Sequence, residues 1–131
     1  MNSKLNPDNV HPPLGRYAHT VKVSPGAHWL VVSGQVGMNK ASKLANGVER
    51  QTVQAFNNVM ACLKANGMTQ EDLVKITVYL TDSRHVDAFR AGRDQVLKGN
   101  ALPASTLVIV AGLAAPEICV EIEATAARVC D

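Results

Sequence analysis

Aromatic residues are scarce in this 131-residue sequence, at 4% of the total. Charge of either sign is nearly balanced, with 13 Lys and Arg against 11 Asp and Glu for a formal net charge of +2. These two shortages leave neither a base-stacking platform nor a basic stripe, so nucleic acid ranks last among partner classes. No run approaches the roughly 20 apolar residues of a membrane span, and no membrane partner is expected. Cysteine is limited to Cys62, Cys119 and Cys130, whose separations of 57 and 11 residues exclude the C-x-x-C pairs of zinc and redox motifs. His11, His19, His28 and His85 lack metal-ligand spacing, so no metal is expected. Phosphate-binding glycine loops and a Gly-x-Ser-x-Gly elbow are also missing; Gly34-Gln35-Val36-Gly37 is too short, and no helix follows it. The first residues, Met1 to Pro7, carry no apolar stretch of a secretory signal, and the cysteine count is odd. Free thiols in a reducing cytoplasm are therefore the expectation.

What is present is a core. Apolar residues make up 47% and charged residues 18%, which excludes disorder by composition. The length fits one domain over residues 1–131. Residues 1–14, rich in proline from Pro7 to Pro13, read as an extended N-terminal arm. A loosely alternating stretch from Tyr17 to Val23 and the β-rich run Trp29 to Gln35 flank a Ser-Pro-Gly turn, which predicts a hairpin. From Glu49 to Asn66, Val53, Phe56, Met60 and Leu63 recur on one helical face, and Gly67 stops the helix. Val74, Ile76, Val78 and Leu80 alternate with polar neighbours as a half-buried strand does. Asp82 or Ser83 can cap a second helix carrying Val86, Phe89, Val96 and Leu97 inward. Thr106 to Val110 reads as a strand, and Ile118 to Arg128 alternates again.

The order is β-β-α-β-α-β-β, an α+β class with one mixed sheet, hairpins at both ends and both helices on one face. The other face then has no cover within the chain, and neighbouring subunits are the natural one. From Arg16 to Gln70 six basic residues stand against one acid. A solvated surface explains that as well as an anionic ligand does. Glu121 and Glu123 share a strand face, either outward in solvent or lining a wet cleft. Ser33-Gly34 ends an apolar strand, and its glycine permits close approach of a ligand or another backbone, or marks a bulge.

Six segments recur in a recognisable order: Gly15-Arg16-Tyr17-Ala18-His19, Val32-Ser33-Gly34-Gln35-Val36, Gln51-Thr52 opening a helix that ends in Ala65-Asn66-Gly67, Asp72 to Asp82, Leu102-Pro103-Ala104-Ser105-Thr106, and Val120-Glu121-Ile122-Glu123-Ala124. Over about Gly15 to Arg128 this resembles the YjgF-type reactive intermediate deaminase (Rid) family, also labelled endoribonuclease L-PSP. The resemblance implies a chorismate-mutase-like fold and a homotrimer with clefts between subunits. It further implies hydrolysis of reactive enamines and imines to 2-keto acids and ammonia, without a bound cofactor. Tyr17 matches the family's cleft tyrosine, Ser33 and Gly34 its cleft Ser-Gly, and Glu121 the glutamate that holds the attacking water. Ser105 is the departure: the deaminating branch has an arginine there, gripping the substrate carboxylate. Leu107, two residues on, joins it as a substrate-binding position. Arg16 stands where the family usually has proline, and Arg93 where it usually has a cleft asparagine. Either could move the cationic grip elsewhere, and Arg93 is preferred.

Two further functions stay open beside the hydrolase. One is a trimer that binds a small carboxylate or other metabolite without turning it over, which Ser105 favours. The last-ranked is the ribonuclease or translation inhibitor of the older family label.

Overall fold

A computed structural model describes residues 1–130. Its elements are β1 (Ser3–Leu5), β2 (Thr20–Lys22), β3 (His28–Val36), α1 (Val48–Ala65), β4 (Leu73–Leu80), α2 (Val86–Val96), β5 (Ala104–Ile109) and β6 (Val120–Arg128). Four strands make one mixed sheet in the order β3-β6-β4-β5, with β4 and β5 parallel and the other pairs antiparallel. The strands with the cleanest apolar alternation are central. Leu73, Ile76, Val78 and Leu80 of β4 and Val120, Ile122, Ala124 and Ala126 of β6 are all buried beneath the helices. Helix α1 lies on β3 and β6, and α2 lies on α1. Phe56 and Phe89 meet there with ring centroids 6.0 Å apart. Gly67, at φ +72°, ends α1, and the Met68 amide reaches back to the Leu63 carbonyl at 2.9 Å, as a left-handed cap requires.

This is the α+β, chorismate-mutase-like arrangement expected, with two pairings corrected. Strand β2 does not form a hairpin with β3. It pairs with β1, in the register Ser3↔Lys22 to Leu5↔Thr20, so part of the N-terminal arm is a strand. Strands β5 and β6 do not form a hairpin either. Helix α2 carries the chain across from β4 to a parallel β5, the usual way to join parallel strands, and β6 then inserts between β3 and β4. Among the described residues no helix is long and apolar enough to cross a membrane.

The helix-free sheet face presents Glu121, Glu123 and Thr125 of β6, and Lys75, Thr77 and Tyr79 of β4. Trp29 and Val31 of β3 stand on it 59% and 78% exposed, and Val108 of β5 is 39% exposed. Leaving such large apolar groups in water forgoes roughly 1.5–3 kcal/mol per side chain.

Candidate functional site

Of the site residues read from the sequence, Tyr17, Arg93, Ser105 and Leu107 line one cleft, Gly34 and Glu121 line a second, and Arg16 and Ser33 line neither. The first, of about 350 Å³, opens between α2, β5 and the loop before β2. Ser105 and Leu107 point into it together because alternate residues of β5 share the helix-side face. Tyr17 enters from the loop, and its hydroxyl accepts the Leu14 amide at 3.1 Å. The Tyr17 ring stands edge-on to His19, centroids 5.8 Å apart, while His19 Nε2 donates to the His11 carbonyl at 2.6 Å.

Arg93 is the cleft's buried cation, only 7% exposed. Its Nε donates to Asp94 Oδ1 at 3.0 Å, and its guanidinium carbon lies 6.0 Å from the centre of the Phe89 ring, at the edge of cation–π range. Arg16 is turned elsewhere and does not line this cleft. Its guanidinium donates to Asp94 Oδ1 at 2.9 Å and to the carbonyls of Leu97 and Gly99 at 3.2 and 2.9 Å. That places a cation at the negative end of α2, where carbonyls lack helical partners. Burial pushes the Asp94 carboxyl up, but the hydrogen bonds from Arg16 and Arg93 outweigh it and hold the group below the usual carboxylate range.

The second cleft, of about 230 Å³, lies on the helix-free face and is lined by Gly34, Tyr79, Leu113, Glu121 and Glu123. A register shift between Val32 and Gln35 puts Ser33 and Gly34 in a bulge against β6. A Cβ at Gly34 would stand 1.9 Å from Glu121 Oε2. Only glycine, therefore, lets this carboxylate lie against the strand. Ser33 beside it is exposed. Among the described residues no ion pair reaches Glu121 or Glu123, and no cluster of three His, Cys, Asp or Glu side chains could hold a metal.

The Tyr79 hydroxyl donates to Glu123 Oε1. That bond favours the neutral phenol and raises its pKa above the ordinary value; burial and the charges of Glu123 and Glu121 push the same way. Spectrophotometric titration is expected to find one of the two tyrosines ionising above the usual value near 10. Glu123→Gln should bring it down.

The sequence reading missed Tyr79 and Arg90. Arg90 lines the first cleft three residues before Arg93, a spacing that shares a helix face and was legible. The contact of Tyr79 with Glu123 depends on the β4–β6 register, which no local pattern reveals.

The two clefts share no residue. Ser105 faces the helices from β5, Glu121 faces away from them on β6, and β4 lies between. The chain is thus an α+β protein with one mixed sheet, carrying a cleft with a buried arginine on the helix face and a cleft with two carboxylates on the other. More narrowly, a family model described as Endoribonuclease L-PSP matches residues 9–128, and the chain belongs to that family. A RutC family protein of Aquifex aeolicus is 41% identical over 71 residues, which span 53% of this chain and 54% of that protein. A 2-iminobutanoate/2-iminopropanoate deaminase of Dermatophagoides farinae is 32% identical over 106 residues, covering 77% of each. The crystal structure of YyfB of Yersinia pestis, a protein of unknown function of the conserved Rid protein family, superposes with a TM-score of 0.84 at 29% identity. That match covers 95% of this chain and 97% of YyfB.

Proposed function

We propose that this chain is a homotrimer that hydrolyses the imine or enamine of a small carboxylate in a cleft built by two copies. The observation that carries the reading is the Glu121 carboxylate, held over Gly34 with no ion-pair partner among the described residues. It faces an open cleft on a sheet face that no helix of the described residues covers. The apolar groups exposed on that face, Trp29, Val31 and Val108, suit an interface between copies.

In this reading Glu121 and the Gly34 backbone come from one copy. Arg93, Tyr17, Ser105 and Leu107 come from its neighbour. Arg93 holds the substrate carboxylate, Tyr17 packs against the substrate, and Glu121 orients a water and accepts its proton as the oxygen attacks the imine carbon. The carbinolamine nitrogen takes that proton back from Glu121 and leaves as ammonia while the carbinol hydroxyl gives its own proton to the freed carboxylate, leaving a 2-keto acid. No redox partner or cofactor enters the balance. The three free thiols, Cys62 and Cys119 half-buried and Cys130 exposed, suit a reducing cytoplasm.

Ser105 sets the rate expected with the smallest substrates. A hydroxyl replaces a guanidinium that would grip the carboxylate at this position, and losing a hydrogen bond to a charged group weakens binding by about 10- to 150-fold. In an assay where an amino-acid oxidase generates 2-iminobutanoate or 2-iminopropanoate, kcat/KM should fall below that of an arginine-bearing relative by up to that order, Arg93 recovering only part of the grip. Rates within about threefold would refute the role given to this position. Ser105 also favours the second reading, binding without turnover. In that case calorimetry would detect a bound 2-keto acid while no imine is consumed.

A further inference from the structure

We propose that Arg90 gives the first cleft a second anion-binding point, so that its preferred ligand is a small dicarboxylate with one carboxylate on Arg93 and the other on Arg90. The inference rests on the reading of Arg93 as the carboxylate grip and goes beyond it by naming the substrate class.

The two arginines share one face of α2 and both line the cleft. An atom at the Cβ position of Gly15 would lie 3.4 Å from Arg93 Nη1 and 3.9 Å from Arg90 Nε, which caps the distance between those nitrogens at about 7 Å. Two guanidinium groups this close repel unless an anion sits between or across them. The chain supplies little relief. Among the described residues no acid lines the cleft. The nearby carboxylate, Asp94, already shares one oxygen between Arg93 Nε and Arg16 Nη1.

Both cations also have donors to spare. Among the described residues no acceptor reaches Nη1 or Nη2 of Arg93, whose one side-chain hydrogen bond is through Nε. Among the described residues Arg90 makes a single long contact of 3.5 Å, from Nη2 to the Leu14 carbonyl, and no acid pairs with it. A guanidinium with free Nη donors is the group that takes a carboxylate through two parallel hydrogen bonds. The apolar lining of the same cleft includes Val86, Phe89 and Leu107, which suit a short methylene chain. A cleft of about 350 Å³ lies within the range of small-ligand sites. A ligand with a four- or five-carbon backbone can span the two cations.

The test is calorimetric titration of the full chain, at one ionic strength, with 2-oxobutanoate and 2-oxoglutarate. The wild type is expected to bind 2-oxoglutarate about 10-fold or more tightly than 2-oxobutanoate, the return on a second charged hydrogen-bonded contact. Arg90→Gln should bring that ratio close to one, and Arg93→Gln should weaken both acids. Arg90 is exposed, so the variant should melt with the wild type, which a thermal scan checks. Equal wild-type affinity for the two acids, or an Arg90→Gln ratio unchanged from wild type, would overturn the second anion point and leave the Arg93 reading standing. Failure of both acids to bind would overturn the Arg93 reading itself.

Discussion

Arg93→Gln is expected to weaken the binding of a small monocarboxylate such as 2-oxobutanoate by about 10- to 150-fold, read by calorimetry. That range corresponds to about 1.5–3 kcal/mol for a lost hydrogen bond to a charged group. The size of the effect follows from how Arg93 is held. It is buried in the cleft lining, paired with Asp94 through Nε and set 6.0 Å from the centre of the Phe89 ring. The guanidinium thus has little freedom left to lose when an anion arrives. Glutamine keeps much of the stem and removes the charge. The ion pair with Asp94 disappears as well, but that carboxylate is 47% exposed and keeps Arg16, so little stability should go with it. Arg16→Gln should leave the carboxylate affinity close to wild type, because its donors are spent on Asp94, Leu97 and Gly99. Unchanged affinity in both variants would show that the cationic grip was lost and not moved.

Glu121→Gln is expected to lower kcat for imine hydrolysis by about 10²- to 10⁴-fold, the usual cost of removing a general base. KM should move much less, because in the proposed reading Arg93 of the neighbouring copy, and not Glu121, holds the substrate carboxylate. Glutamine has the same shape and can keep the contact over Gly34, so the loss reads out charge and proton acceptance rather than packing. Gly34→Ala should reproduce part of it, since the added Cβ would occupy the place of Glu121 Oε2. Steady-state rates on both variants, with melting curves to verify folding, measure the two effects. A Glu121→Gln enzyme with wild-type kcat would remove Glu121 from the chemistry.

The fold was legible where periodicity is long. Helix α1 and strands β4 and β6 bury most of the residues that their spacing marks, Phe56, Val78 and Ile122 among them; Val53, Met60 and Val74 are only half-buried, and Leu73, beside a register shift in β4, is buried instead of Val74. Pairing was less legible. Adjacent strands with a turn between them suggest hairpins, yet β2 took the three-residue β1 and β5 took β4. Those choices are made by long-range packing, and a strand of three residues has too little pattern to announce itself. The site was legible as a set of residue types. Its division was not. Tyr17, Arg93, Ser105 and Leu107 meet on one side of the sheet, Gly34 and Glu121 on the other, and sequence order carries no trace of the face each will take. Arg16 shows the same limit at short range. It is bonded to Tyr17 in the chain, but the backbone sends one side chain to the cleft and the other to the end of α2.

The claim on which the rest depends is that one working cleft draws its two halves from two copies. Mixing tests it most directly. Glu121→Gln and Arg93→Gln chains, each nearly inactive alone, are unfolded together at equal amounts, refolded, and assayed on an imine that the wild type hydrolyses. In a ring of copies each cleft takes its Glu121 from one chain and its Arg93 from the next, so random assembly restores about a quarter of wild-type turnover. Activity no higher than that of the separate variants, or a wild type that hydrolyses none of the imines offered, would contradict the account.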